Sequence, residues 1–287
     1  MGISMEGGGK ISGLLQLFRP KNAVMSVLGV LVGWLNVSQS FTSELLVACL
    51  VPPLILMAGN AINDYFDAPI DAINKPERPI PSGRVSEREA LISYLVLSAI
   101  GVVISLHLGV EEFLIALAFS IAWYAYAKWL KAMGLVGNIL VSLGVAFTLL
   151  FGALAAGRVN SRVVAFSSIA FTSNLAREVV KTIEDLEGDA TYGLRTVAIT
   201  LGVERAGIFA AILSLLSSLL ALVPAISSMA GLLYLILTVI VSVPLLVYSA
   251  YLSTKIERKE EAGRVSSLLK ISMLLGILGM LLDPLVR

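Results

Sequence analysis

The chain has 287 residues, 57% of them hydrophobic and only 14% charged, with a net charge of +1. Soluble domains are nearer a quarter charged, and one core of this size cannot hide so much apolar surface, so the composition points to the bilayer as solvent. A single cysteine, Cys49, excludes an internal disulfide, and a single histidine, His107, excludes His-rich metal sites and Ser-His triads.

In chain order, the stretch up to Lys10 is glycine-rich and polar and lacks a secretory signal pattern. Crossing the hydrocarbon core takes about 20 apolar residues per helix. Spans are predicted at 22–38, 44–63, 90–109, 112–130, 135–157, 162–183, 203–223, 228–252 and 267–283. The expected fold is therefore all-α and integral to the membrane, one polytopic domain over 1–287 with nine transmembrane helices. Gly29, Gly33, Gly137, Gly144 and Gly152 fall inside spans, where small residues let helices pack closely in lipid.

Nine crossings sort the loops by side. Of the 21 basic residues, all but Arg158, Arg162 and Arg287 fall on one side. Lys and Arg resist translocation, so that side is expected to be cytoplasmic in a cell-membrane protein, with the N-terminus inside and the C-terminus outside. The mixed-sign stretch Thr254–Arg264 reads as a solvated connector that touches anionic headgroups.

Two acidic clusters share the cytoplasmic side. The first follows the second span and contains Asn60, Asn63, Asp64, Asp67 and Asp71. Spacings of three and four put its carboxylates on one helical face. Pro69 is expected to interrupt or end that helix, leaving Asp71 on a loop that bends back. The second cluster, Arg177 to Asp189, sets Arg177, Lys181 and Asp185 at four-residue intervals and adds Asp189 four further on. Like charges on one face repel unless a cation sits among them. Carboxylate oxygens suit Mg²⁺, which takes few protein ligands and completes its shell with water and substrate phosphate. Taken singly, each cluster also fits a solvated loop with aspartate caps. Taken together, on one side, they fit a clamp for a diphosphate held through magnesium, with Lys and Arg on the remaining oxygens. The proline-rich stretch from Lys75 to Gly83 reads as a rigid connector that holds Lys75 and Arg78 over the first cluster as a partial lid. Asn22, at the entrance of the first span, either faces a cavity and binds substrate or caps the helix.

These residues resemble the UbiA-type superfamily of intramembrane prenyltransferases, on N-D-x-x-D-x-x-x-D at Asn63–Asp71 and D-x-x-x-D at Asp185–Asp189. Within it, the two stretches are most similar to the archaeal digeranylgeranylglyceryl phosphate synthases. The resemblance implies nine helices around a central cavity under a cytoplasmic polar cap. It also implies an isoprenyl diphosphate donor bound through Mg²⁺. Carried over, Asn63, Asp67, Asp71, Asp185 and Asp189 hold the metal, and these acids with Asp64 make up the catalytic set. Lys131, Arg177 and Lys181 bind the diphosphate with Lys75 and Arg78. The stretch Tyr124–Asn138 matches the family's Tyr-to-Lys segment either as Tyr124 with Lys128 or as Tyr126 with Lys131; the following Gly-Leu-x-Gly-Asn favours the latter, with Tyr126 facing the allylic cation. The implied reaction moves a geranylgeranyl group from its diphosphate to the glycerol hydroxyl of geranylgeranylglyceryl phosphate, among membrane lipids and without nucleic acid. Two alternatives remain: an aromatic acceptor of a quinone or haem pathway, and an ion-coupled transporter.

Overall fold

The computed structural model describes residues 4–286, all of whose regular structure is helical. The helices are α1 (Ser4–Phe18), α2 (Pro20–Leu35), α3 (Ser43–Asn74), α4 (Glu87–Ser105), α5 (Val110–Lys128), α6 (Leu135–Ala155) and α7 (Ser161–Glu184). They continue as α8 (Leu186–Thr191), α9 (Val197–Leu201), α10 (Val203–Ile226), α11 (Leu232–Tyr234), α12 (Val243–Ser253) and α13 (Lys259–Val286). A tight 3₁₀ turn, Leu130–Met133, precedes α6, and a widened π segment, Leu235–Ser242, joins α11 to α12.

Helix occupies each stretch predicted to span. Among the described residues, seven helical segments are long and apolar enough to cross a membrane: α3, α4, α5, α6, α10, α11 through α12, and α13. α2 is short, at 16 residues, and α7 carries Asn174, Arg177, Glu178 and Lys181 along its length. One expectation needs correction: Pro69 does not end the helix that carries the acids, because α3 runs on through it to Asn74; α1 adds a helix over Ser4–Phe18.

The chain divides into two compact units, one of Met1–Val27 and Thr42–Leu130, the other of Leu28–Phe41 and Lys131–Arg287. In the first, α3 packs on α4 and α5 around Ala58, Ala61, Ile62, Ala90, Tyr94 and Ala127. Small residues on α3 let neighbours come close; a Cβ on Gly59 would lie 2.8 Å from Trp123 Cγ. Leu17 of α1 is fully buried in the same core, and Lys10 pairs with Glu89 at 2.5 Å. Ser86 and Glu89 form a reciprocal cap that starts α4. Leu95, Val96, Val103, Leu114 and Ile121 stay exposed, as lipid-facing side chains do.

In the second unit α7 packs against α6, α10 and α13. The end of α2 meets α6 backbone to backbone: a Cβ on Gly33 would sit 1.9 Å from the Leu149 carbonyl oxygen, and one on Gly152 would sit 2.1 Å from that of Val30. At the far end of this unit Asp283 is buried at 1% exposure. Its carboxylate accepts from Arg162 Nη2 at 2.5 Å and from the backbone N–H groups of Gly231 and Tyr234 at 2.8–3.2 Å. This acid was not singled out from sequence, and it gives Arg162, unassigned there, a structural partner.

Candidate active site

The last three turns of α3 present the first acidic cluster as a continuous helical face. Asp64, Asp67 and Asp71 are 3%, 7% and 5% exposed. Three buried carboxylates in one row demand compensation, and two arginines supply it. Arg78 Nη1 donates to Asp64 Oδ1 at 3.2 Å and to Asp71 Oδ2 at 3.0 Å. Arg19 donates through Nη1 to Asn60 Oδ1 at 3.0 Å and pairs through Nη2 with Asp64 Oδ1. Asn60 Nδ2 in turn donates to the Phe18 carbonyl at 3.2 Å. Arg78 therefore lies against the acids. Lys75 is exposed, and its backbone N–H closes α3 on the Asp71 carbonyl.

Pro69 does not put Asp71 on a loop. The proline forfeits one backbone hydrogen bond, yet Arg78 ties Asp64 on one side of it to Asp71 on the other and so braces the helix across the gap. Asn22 is exposed in the first turn of α2, with its N–H on the Arg19 carbonyl at 2.9 Å.

At about 100° per residue, Asp64 and Asp71 fall toward one edge of this face and Asn63 and Asp67 toward the other. Asn63 Nδ2 donates to Asp67 Oδ2 at 2.8 Å, while Asn63 Oδ1 is buried without a hydrogen-bond partner. An orphaned amide oxygen beside carboxylates is the donor chemistry that a hard divalent cation takes up. Among the described residues no three acidic, His or Cys side chains close around one point. The row thus offers a few oxygens rather than a full cage, which is what Mg²⁺ uses.

The second unit carries the other cluster at the end of α7. Asp185 occupies the C-cap of α7, its N–H on the Lys181 carbonyl at 2.9 Å, and the Asp189 N–H returns to the Asp185 carbonyl at 2.9 Å. The chain keeps a helical course through the cap, so the four-residue spacing leaves both acids on one side. Asp185 is exposed and Asp189 half-buried. Arg177 Nη1 donates to Glu178 Oε1 at 3.0 Å, and Lys181 Nζ reaches Glu178 Oε2 at 3.3 Å. Glu178, 8% exposed, orients both cations, and sequence reasoning passed over it although it stands between them in R-E-V-V-K. Arg177 Nε is buried without a partner, a donor available to an anion. Lys131 lies in the 3₁₀ turn before Gly134, whose φ of +61° and approach to Arg195, 2.2 Å from a built Cβ, call for glycine.

The two tyrosine–lysine pairings differ in surroundings. Lys128 Nζ lies 4.6 Å from the Trp129 ring centroid and 5.7 Å from that of Tyr124. Tyr124 also packs edge-on against Phe66 and Trp129, so this pair belongs to an aromatic stack. Tyr126 instead meets Trp123 edge-on at 5.8 Å, and Trp123 covers Gly59, one turn before Asn63 on α3.

Residues 23–274 match the UbiA prenyltransferase family. The chain belongs to that family. Family membership supports the transferase class over the transporter alternative. A relative named digeranylgeranylglyceryl phosphate synthase, from Korarchaeum cryptofilum (strain OPF8), is 56% identical over 96% of this chain and 98% of its own length. One of the same name from Methanopyrus kandleri is 38% identical over 93% and 97%. Among solved structures, one described as giving structural and mechanistic insights into digeranylgeranylglyceryl phosphate synthase in membranes superimposes with a TM-score of 0.81 at 33% identity, covering 97% of this chain and 99% of that one. A UbiA homologue from Archaeoglobus fulgidus bound to DMAPP and Mg²⁺ shares the fold, with a TM-score of 0.69 at 18% identity over 93% and 99%. Fold and family agree on a multi-pass membrane protein.

Proposed function

We propose that this chain transfers a geranylgeranyl group from geranylgeranyl diphosphate to the glycerol hydroxyl of geranylgeranylglyceryl phosphate, in the synthesis of archaeal ether lipids. The observation that carries this reading is end-to-end similarity to relatives of that name, joined to a row of Asn63 with the buried Asp67 and Asp71 in which the Asn63 amide oxygen is buried without a partner.

Asn63, Asp67, Asp71, Asp185 and Asp189 are the residues that would hold magnesium. When bound, the metal supplies positive charge against the diphosphate as it leaves. Arg177, Lys181 and Lys131 bind the remaining phosphate oxygens, and Glu178 keeps the first two aimed. As the allylic C–O bond breaks, the electron pair leaves with diphosphate, where these cations stabilise it most. The Tyr126 ring faces the resulting carbocation. The acceptor oxygen then bonds to that carbon, and its proton passes to a carboxylate or to the released diphosphate. Apolar walls exclude water, which would otherwise consume the cation. The full reading has nine spans enclosing a cavity in one catalytic domain, the acids toward the cytoplasm, the N-terminus inside and the C-terminus outside.

The test is mass spectrometry of lipid products from the purified protein. It is supplied with geranylgeranyl diphosphate, Mg²⁺ and a panel of geranylgeranylglyceryl phosphate, hydroxybenzoate and naphthoate. Product from the glycerol phosphate ether alone is expected; product only from an aromatic acid would replace the acceptor and keep the donor site.

A further inference from the structure

Arg19 occupies the one-residue elbow between α1 and α2, immediately before Pro20, with φ at +49°. Non-glycine residues rarely hold that conformation, and those that do are over-determined by their surroundings, often at functional sites. Here the surroundings are the acid row. The Arg19 guanidinium spans Asn60 and Asp64, and Asn60 reaches back to the Phe18 carbonyl, so side chain and backbone of the elbow grip the same turn of α3. Asp64 is 3% exposed, and Arg78, its other partner, is shared with Asp71. Without Arg19, the buried Asp64 carboxylate would keep only Arg78, which Asp71 shares.

Resting on the proposed transfer reaction, we infer that Arg19 is a positioning residue that keeps Asp64 out of metal binding. By neutralising Asp64 it holds Arg78 at that edge of the row and leaves the unpartnered Asn63 amide oxygen, at the other edge, to a divalent cation. Asp64 is then the anchor of the two arginines and not a ligand. Loss of Arg19 would release a buried carboxylate one turn from Asp67, where a metal ion would be drawn to it and held in the wrong place.

The consequence is a change of opposite sign in two quantities. The full-length protein in detergent is titrated with Mn²⁺ by electron paramagnetic resonance without substrate, and prenyl transfer is assayed separately with Mg²⁺. R19A is expected to bind Mn²⁺ more tightly than the unaltered protein while transfer falls about 10- to 100-fold, the usual range when a group supporting a metal site is lost. R19A/D64N, which removes the released charge, is expected to move both quantities back toward the starting values. R19K keeps a charge but cannot fork across Asn60 and Asp64; it is expected to keep the starting Mn²⁺ affinity with a smaller loss of transfer, and it carries the test if R19A does not fold. Weaker Mn²⁺ binding in R19A or R19K in step with lost transfer would mean a merely structural elbow and would overturn the inference, as would an R19A protein unchanged in both. Failure of the unaltered protein to bind Mn²⁺ or to transfer a prenyl group would instead bring down the underlying reading, and the positioning role with it.

Discussion

Asp283 and the Asp64–Asp71 row solve the same problem in two ways. Each buries carboxylate against arginine on a membrane helix. At Asp283 the solution is closed: Arg162 and two backbone N–H groups meet one carboxylate. Along α3 it is open: Asp64 and Asp71 share Arg78, Asp64 also takes Arg19, and the Asn63 amide oxygen beside them is buried with no partner. A saturated acid fastens elements together, whereas an orphaned amide oxygen beside acids retains capacity for something that arrives later. The difference separates stability from chemistry within one chain.

That contrast can be broken at several points. The largest effect is expected from D67A, which should abolish Mg²⁺-dependent transfer at excess Mg²⁺ while leaving the unfolding temperature in detergent nearly unchanged, since one of three repelling charges is gone. Full turnover would remove Asp67 from the site. D283A should do the reverse. It strands Arg162 and two N–H groups, and breaking a buried pair costs about 3–5 kcal/mol; denaturation would register the loss, and transfer well below the unfolding temperature should stay near that of the unaltered chain. A catalytic defect without destabilisation would erase the distinction. The smallest and most discriminating effect lies in the lysines of the Tyr124–Asn138 stretch. K131A should raise the donor KM about tenfold, the equivalent of one charge-assisted hydrogen bond. K128A should leave KM alone and cost only about 0.5–1 kcal/mol of stability, as an exposed cation–π contact does. The opposite order would hand the role to Tyr124 and Lys128.

Much of this was legible in the sequence because the bilayer imposes a coarse rule. Apolar runs of fixed length announced the helices, seven of which, among the described residues, are long and apolar enough to cross a membrane, and three- and four-residue spacings announced the acidic face of α3. What escaped was local or distant. Helix α1 hid behind Gly7, Gly8 and Gly9, residues that ordinarily discourage helix. Pro69 looked like a stop because its brace, Arg78, acts through side chains. The partners of Arg19 lie 41 and 45 positions along the chain, and that of Arg162 lies 121, separations at which periodicity carries no signal. Glu178 was visible but passed over; only its burial marks it as the group that orients Arg177 and Lys181.

The length of α3 has a further consequence. Its 32 residues extend about 48 Å at 1.5 Å per residue, while the hydrocarbon slab is about 30 Å thick. An upright helix of that length must overrun the slab, and its C-terminal turns then stand among the lipid phosphates. Under the proposed reaction, diphosphate donor and glycerol phosphate acceptor are both amphiphiles whose heads float at that same depth. Each can reach the enzyme by sideways diffusion in a thin sheet, so the search for partners runs in two dimensions and neither tail has to enter water.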